Sequence, residues 1–323
     1  MADAALAFVF PGQGSQKTGM LASAHTLSDD VRSTFEEASD ALGYDVWALV
    51  SEGDQAALNL TENTQPVLLA CSVALWRTWR AQGGAAPAVM AGHSLGEFSA
   101  LTCAGSLEFP DALCLVRERG RFMQSAVPVG EGAMAAVIGL DDANIQRICS
   151  ETATALSQVV APVNFNAPGQ VVIAGQAAAV ETATDALKSA GAKRALPLPV
   201  SAPFHTTLMQ PAGDKLADIL AGLEVKPPQI PVIHNVHARP EQEADTIRDL
   251  LVTQIASPVL WTDCVRALAQ TGATRFAECG PGNVLCGLNR RIDKSIESFP
   301  LETPEGIQAL LAELDAETEA PHE

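Results

Sequence analysis

Positive charge is what this sequence has little of. Its 38 aspartates and glutamates face only 20 lysines and arginines, a net charge of −18 over 323 residues. A phosphate backbone is gripped by a basic face, so nucleic acid is not an expected partner. Long apolar runs are also missing. None approaches the roughly 20 residues that span a bilayer, so no membrane insertion is expected. The seven cysteines (Cys71, Cys103, Cys114, Cys149, Cys264, Cys279 and Cys286) contain no C-x-x-C pair. Odd in number and scattered, they argue against a disulfide framework and a structural zinc, and no metal site is expected. The opening Met1-Ala2-Asp3-Ala4 lacks the basic region of a secretory signal, and Phe8-Val9-Phe10 reads as a first strand, so the expected compartment is the cytoplasm. Histidine is scarce as well, six in all, which narrows any search for a general base.

What is present is 47% apolar and 18% charged residues, a balance that fits a large globular core with room for a second, smaller domain. The most informative stretch is Val89 to Ala104. An apolar run meets Gly92-His93-Ser94-Leu95-Gly96, and small and apolar residues at helical spacing follow. Strand, sharp turn and helix with a serine at the apex form a nucleophile elbow. The pattern G-x-S-x-G alone arises by chance in roughly one chain in ten of this length. The flanking strand and helix make it specific, and Ser94 is the candidate covalent nucleophile.

Around it the chain alternates strand and helix. Leu6 to Phe10 is a strand running into Pro11-Gly12-Gln13-Gly14, and helices follow over Asp30 to Leu42, Gln65 to Arg80 and Pro110 to Ala126. From Gly132 to Val200 the pattern becomes β-α-β-β-α-β, the ferredoxin-like arrangement, with a hairpin around Asn166-Ala167-Pro168-Gly169. Alternating α/β then resumes. The expected fold is therefore α/β: an α/β-hydrolase-like large domain with a central, mostly parallel sheet (residues 1–126 and 201–310), and an inserted ferredoxin-like small domain (127–200). Residues 311–323 are expected to be an acidic, frayed tail.

A serine hydroxyl needs a base at neutral pH. His322 sits in the tail, and His25 has no strand before it. His93 adjoins the serine, and its side chain is expected to point elsewhere. His234 falls within a strand and reads as structural; His237 trails it. His205, in Pro203-Phe204-His205 at the return into the large domain, is the expected base, because a domain junction is where a cleft forms. Two oxyanion donors suit their positions: the Leu95 amide at the helix start and the Gln13 amide in the glycine loop. That loop is not a phosphate loop, since Gln16 stands where glycine is needed.

Five motifs in order carry a family resemblance: Phe10-Pro11-Gly12-Gln13-Gly14-Ser15-Gln16, Gly92-His93-Ser94-Leu95-Gly96-Glu97, Arg119-Gly120-Arg121-Phe122-Met123-Gln124, Asn164-Phe165-Asn166-Ala167-Pro168-Gly169-Gln170 and Pro203-Phe204-His205. From about Leu6 to Arg291 the sequence resembles the malonyl-CoA:acyl carrier protein transacylases of bacterial fatty acid synthesis. The resemblance implies ping-pong transfer of malonyl from coenzyme A to Ser94 and on to the phosphopantetheine thiol of acyl carrier protein, with no bound cofactor and a monomeric chain. It implies His205 as base, oriented by a backbone carbonyl at Gln254, and Gln13 and Leu95 as the oxyanion hole. Arg119 matches the arginine that holds malonate's free carboxylate, a task suited to a guanidinium's paired hydrogen bonds. Arg117 and Arg121 read as surface residues. His93, Asn164, Asn166 and Phe204 are carried as pocket residues. The bulk of Phe204 favours malonyl over methylmalonyl.

Coenzyme A and the carrier are acidic, as is this chain, so a local basic mouth is expected. Lys193, Arg194, Arg290, Arg291 and Lys294 are its candidates, Arg290 and Arg291 foremost. Two rivals share the serine motif: a serine esterase or thioesterase, and a non-catalytic carrier-docking module.

Overall fold

The apolar run of the first strand fixes the centre of the molecule. The structure, a computed structural model, describes residues 2–24, 29–200 and 202–319. Leu6 through Phe10 are all fully buried. Leu6, Phe8 and Phe10 face one core, and Ala7 and Val9 face another, as a period of two demands when a sheet is covered on both sides. The strands are β1 (Ala2–Phe10), β2 (Ala86–Gly92), β3 (Gly132–Ile138), β4 (Val160–Ala167), β5 (Gln170–Gln176), β6 (Arg194–Pro197), β7 (Val232–Ile233), β8 (Arg275–Glu278) and β9 (Glu297–Pro300). Five of them make one sheet in the order β7-β2-β1-β8-β9, with every pair parallel.

The other four form an antiparallel sheet in the order β4-β5-β3-β6. Written by position within the unit this is 2-3-1-4, the ferredoxin-like order. Helices Asp142–Leu156 and Ala177–Ser189 cover one face and share a core with Val137, Val171 and Ile173. The other face presents Met134, Val172 and Ala174 to the large core. The fold is thus α/β with a central parallel sheet and a separate antiparallel one.

Three expectations differ from the structure. The tail does not fray at Leu311. A helix runs Pro304–Glu319, Ile307 and Leu310 are fully buried, and Leu311 and Leu314 pack against the core. Their three- and four-residue spacing makes an apolar stripe, and Glu305, Glu313 and Asp315 take the outer face. Residues 320–323, with His322, and also His25, lie outside the described residues. The hairpin turn is tighter than expected: β4 continues through Ala167, so Asn164 and Asn166 sit on a strand. Asn164 also bridges Val259, with hydrogen bonds Val259 N–H to Val163 O and Phe165 N–H to Val259 O. That bridge stitches the antiparallel sheet to the large core beside β2. Finally, β7 ends at Ile233, so His234 follows the strand rather than lying within it.

Candidate active site

The elbow forms where β1 and β2 end side by side, with Phe10 paired to Gly92. Beyond the carboxyl ends of parallel strands is where ligands bind in such sheets. A Cβ on Gly92 would collide with the carbonyl group of Gly96, and one on Gly96 would collide with the Phe10 carbonyl. Only glycine allows this approach. Ser94 at the apex has φ +52° and ψ −106°, a strained conformation costing of order 1–3 kcal/mol that persists only where neighbours impose it. The neighbours are identifiable. Ser94 N–H donates to Asn235 Oδ1 at 2.7 Å, and its carbonyl accepts from Gln254 Nε2 at 3.0 Å.

His205 reaches the serine from the segment that re-enters the large sheet, also at positive φ (+63°). Its Nε2 lies 2.8 Å from Ser94 Oγ, and its Nδ1 lies 2.9 Å from the Gln254 carbonyl oxygen. A carbonyl only accepts, so Nδ1 carries the proton and Nε2 keeps the lone pair that faces the hydroxyl. Burial, then the charge of Arg119, lower the imidazole's pKa to about 3. The ring is therefore neutral throughout the physiological range, with its Nε2 lone pair open to the serine proton. The kcat/KM for serine acylation should stay flat from about pH 7.5 to 5, because a group's protonation limits rate only near its own pKa. Stopped-flow acylation across pH checks this; an acid limb centred on about 6.5, the value of a free imidazole, would contradict it. The same shift acts on stability. Below about pH 6.5 the unfolded chain takes up a proton that the folded one refuses, so stability is lost as pH falls from there toward 3.

Arg119 comes from the helix Phe109–Ser125 and is 1% exposed. Its Nη1 donates to Gln65 Oε1 at 2.8 Å; its Nη2 donates to Gln254 Oε1 at 2.9 Å and Ser94 Oγ at 3.2 Å. The guanidinium lies 5.1 Å from the Phe98 ring centre. Burial lowers its pKa to about 10, with Glu97 opposing, so it stays charged at neutral pH. Two of its five N–H groups are tied to glutamines and one touches the nucleophile, leaving donors for a ligand carboxylate. Arg121 on the same helix pairs with Glu118, and Arg117 with Glu118 and the Leu42 carbonyl, away from the serine.

These groups line a cleft of about 560 Å³. Ser94, Leu95, Gln13, Arg119, Gln65 and Met123 line it, with Met134, Asn164, Asn166 and Val172 from the antiparallel sheet and Leu198 just after β6. Phe204 lines it beside His205. Gly96 and Glu97 N–H groups are used within the elbow, while the Leu95 and Gln13 amides have no acceptor among the described residues. Both are free to donate to a ligand. His93 points from the serine toward Asn166, Nε2 to Oδ1 at 2.8 Å, and its ring packs near Trp261. Burial lowers its pKa, which favours the neutral form.

The expected basic mouth is not found at this cleft. None of Lys193, Arg194, Arg290, Arg291 and Lys294 lines it; its outer lip is neutral, with Gln16, Gln55 and Asn59. Arg290 and Lys294 line a separate hollow with Glu297 and Glu313, and Arg291 hydrogen-bonds Gln170. His237 is peripheral, paired with Glu241.

Sequence reasoning missed Gln65, Asn235 and Glu97. Glu97 is fully buried and accepts from His234 Nδ1 at 2.7 Å, Asn235 N–H at 2.9 Å and Gln254 Nε2 at 2.9 Å. A signal existed: Glu97 is the single charged residue in the helix Leu95–Cys103. Gln65 and Asn235 carried no such mark.

The acyl transferase domain family matches residues 7–303. The chain is 56% identical over 305 residues to the malonyl CoA-acyl carrier protein transacylase of Escherichia coli (strain K12), covering 94% of this chain and 98% of that protein. It superposes on the crystal structure of malonyl-CoA:acyl carrier protein transacylase from Xanthomonas oryzae with TM-score 0.95 at 53% identity, over 97% of this chain and 99% of that one. A malonyl-transacylase solved in complex with its type II PKS acyl-carrier protein gives TM-score 0.93 at 53% identity, over 95% and 99%. A match of this extent, on a chain whose elbow, imidazole and guanidinium share one cleft, means that the protein belongs to the acyl transferase domain family, among the malonyl CoA-acyl carrier protein transacylases.

Proposed function

We propose that this chain transfers malonyl from malonyl-CoA to the phosphopantetheine thiol of acyl carrier protein through a malonyl-Ser94 ester. The observation that carries the reading is the contact of one hydroxyl with both a neutral imidazole at 2.8 Å and a guanidinium at 3.2 Å. Ser94 Oγ attacks the thioester carbon while His205 Nε2 takes its proton. The carbonyl oxygen gathers negative charge against the Leu95 and Gln13 amides. Collapse breaks the C–S bond, and the imidazolium returns the proton to the departing thiolate. The carrier's thiol then repeats the sequence in reverse, with His205 as its base. The malonyl carboxylate sits on the donors of Arg119. No cofactor enters this chemistry.

The test is malonyl-CoA with the protein alone, quenched in acid and weighed intact. A persistent malonyl adduct on Ser94, discharged by added holo carrier protein, is expected. Rapid release of free malonate would make the protein a hydrolase, and an unchanged mass would make it a silent docking module.

The reading extends to selectivity. Phe204, 8% exposed at the cleft wall, is placed to crowd an α-methyl branch. Phe204→Ser should raise loading from methylmalonyl-CoA by about tenfold, within the range that one methyl group's fit is worth. An unchanged ratio of methylmalonyl to malonyl loading would overturn the steric account.

The same reading makes residues 127–200 an inserted domain between the halves of a catalytic one (1–126 and 201–310), supported by their separate core. It makes the chain a monomer acting in fatty acid synthesis in the cytoplasm; no described helix is long and apolar enough to cross a membrane.

A further inference from the structure

Gln254 touches all three groups of the proposed chemistry. Its carbonyl accepts from His205 Nδ1, its Oε1 accepts from Arg119 Nη2, and its Nε2 donates to the Ser94 carbonyl. A primary amide has two ends of nearly equal shape. Turned over, it would press an NH₂ group against the guanidinium and a carbonyl oxygen against the Ser94 carbonyl. Something must fix which end faces which.

The fixed neighbour is Glu97. Gln254 Nε2 lies 2.9 Å from Glu97 Oε2, and the same oxygen accepts the Asn235 backbone N–H at 2.9 Å. A backbone N–H only donates, so an oxygen must face it. That oxygen in turn requires the NH₂ end of Gln254, which leaves Oε1 for Arg119. Glu97 Oε1 is held from the other side by His234 Nδ1 at 2.7 Å. Asn235 completes the frame: its Nδ2 donates to the Gly92 carbonyl at 2.7 Å and its Oδ1 accepts from Ser94 N–H. Glu97, Asn235, Gln254 and His234 are all fully buried, so bulk water does not compete for these bonds.

We propose that Glu97 is a positioning residue for acyl transfer: an acceptor oxygen that locks the Gln254 amide in one orientation and so sets Arg119 and His205 on Ser94. The inference rests on the acyl-transfer reading above. It assigns the effect to where the oxygen lies, not to the charge that it carries.

Two variants separate these roles. In Glu97→Gln the side-chain oxygen must still face Asn235 N–H, and the amino end turns to His234 Nδ1, which accepts once its proton moves to Nε2. That ring nitrogen has no partner among the described residues. The lock survives without the charge. In Glu97→Asp the charge survives, but the oxygens withdraw by about 1.5 Å, one C–C bond. Single-turnover malonylation of Ser94 should fall by no more than about fivefold in E97Q and by about 10²-fold in E97D, the scale on which a 1 Å misplacement is felt. E97D should also lose preference for malonyl over acetyl, because Arg119 loses its fixed partner. Gln254→Leu removes the amide but keeps the carbonyl for His205, and E97D in that background should add less than about threefold, since residues acting through one contact are not additive.

Melting temperatures separate folding from function. If E97D melts low, the ranking of folded E97Q against wild type and Q254L decides alone. The proposal is overturned if E97Q is slower than E97D, if E97Q is as slow as Q254L, or if E97D and Q254L multiply. A wild type that forms no adduct overturns instead the acyl-transfer reading on which the proposal stands.

Discussion

Replacing Arg119 by alanine should lower kcat/KM for malonyl-CoA by about 10² to 10⁴ and leave acetyl-CoA almost untouched. Two charged hydrogen bonds to the malonyl carboxylate contribute about 1.5–3 kcal/mol each, and about 1.4 kcal/mol is tenfold in rate. Burial strengthens the case. At 1% exposure the guanidinium has no bulk water to turn to. On the proposed reading, an acetyl group leaves it facing an empty volume and makes neither hydrogen bond, which sets the expected preference for malonyl. Alanine removes the reward for malonyl and changes little for acetyl, so the ratio of the two kcat/KM values should collapse toward one. Lysine is a sharper probe. It restores a positive charge but not the fork held by Gln65 and Gln254, and should recover only part of the loss. Thioester consumption with each donor measures both. A malonyl preference that survives in Arg119→Ala would move the carboxylate site elsewhere.

Removing the imidazole acts on the chemistry itself. His205→Ala should slow Ser94 acylation by about 10² to 10⁴, the range of a positioned general base. The loss should be the same for malonyl and acetyl donors, because His205 handles the proton common to both. This separates it from Arg119, whose loss depends on the donor. The base is oriented by a neutral carbonyl, Gln254 O, rather than by a carboxylate, so there is no acidic member whose removal would mimic the histidine variant. Rapid-quench acylation with both donors gives the comparison; a donor-dependent loss would show that His205 contributes to binding.

The elbow was legible in sequence because its constraints are local. Gly92 and Gly96 are forced by backbone contacts within a few residues of the serine and with the end of β1. His205 was legible through position, since it follows β6, where the chain leaves the antiparallel sheet for the large core and a cleft can form. Arg119 was not distinguishable on physical grounds from Arg117 and Arg121, two residues to either side. Which face of the helix turns inward depends on packing against the helix Thr61–Ala81, a tertiary contact that neither segment's own spacing specifies. The polar layer under the site was hidden for another reason. Asn235 and Gln254 lie more than a hundred residues from Glu97, and their shared donors and acceptors are set only when the fold brings them together. The terminal helix was missed because its acidic residues drew attention from the stripe Ile307, Leu310, Leu311 and Leu314.

The basic mouth was inferred from net charge, and net charge says nothing of where charges stand. The cleft lip holds amides, so attraction of acidic partners must come from side chains beyond the lining.

Crystals soaked with malonyl-CoA in the absence of carrier protein test the central claim most directly. The account predicts density for malonyl joined to Ser94 Oγ, its ester carbonyl on the Leu95 and Gln13 amides, and its carboxylate on two Arg119 nitrogens at about 2.7–2.9 Å, the length of charge-assisted pairs. A malonyl group on another residue, or one on Ser94 with its carboxylate turned out toward the neutral lip, would contradict it.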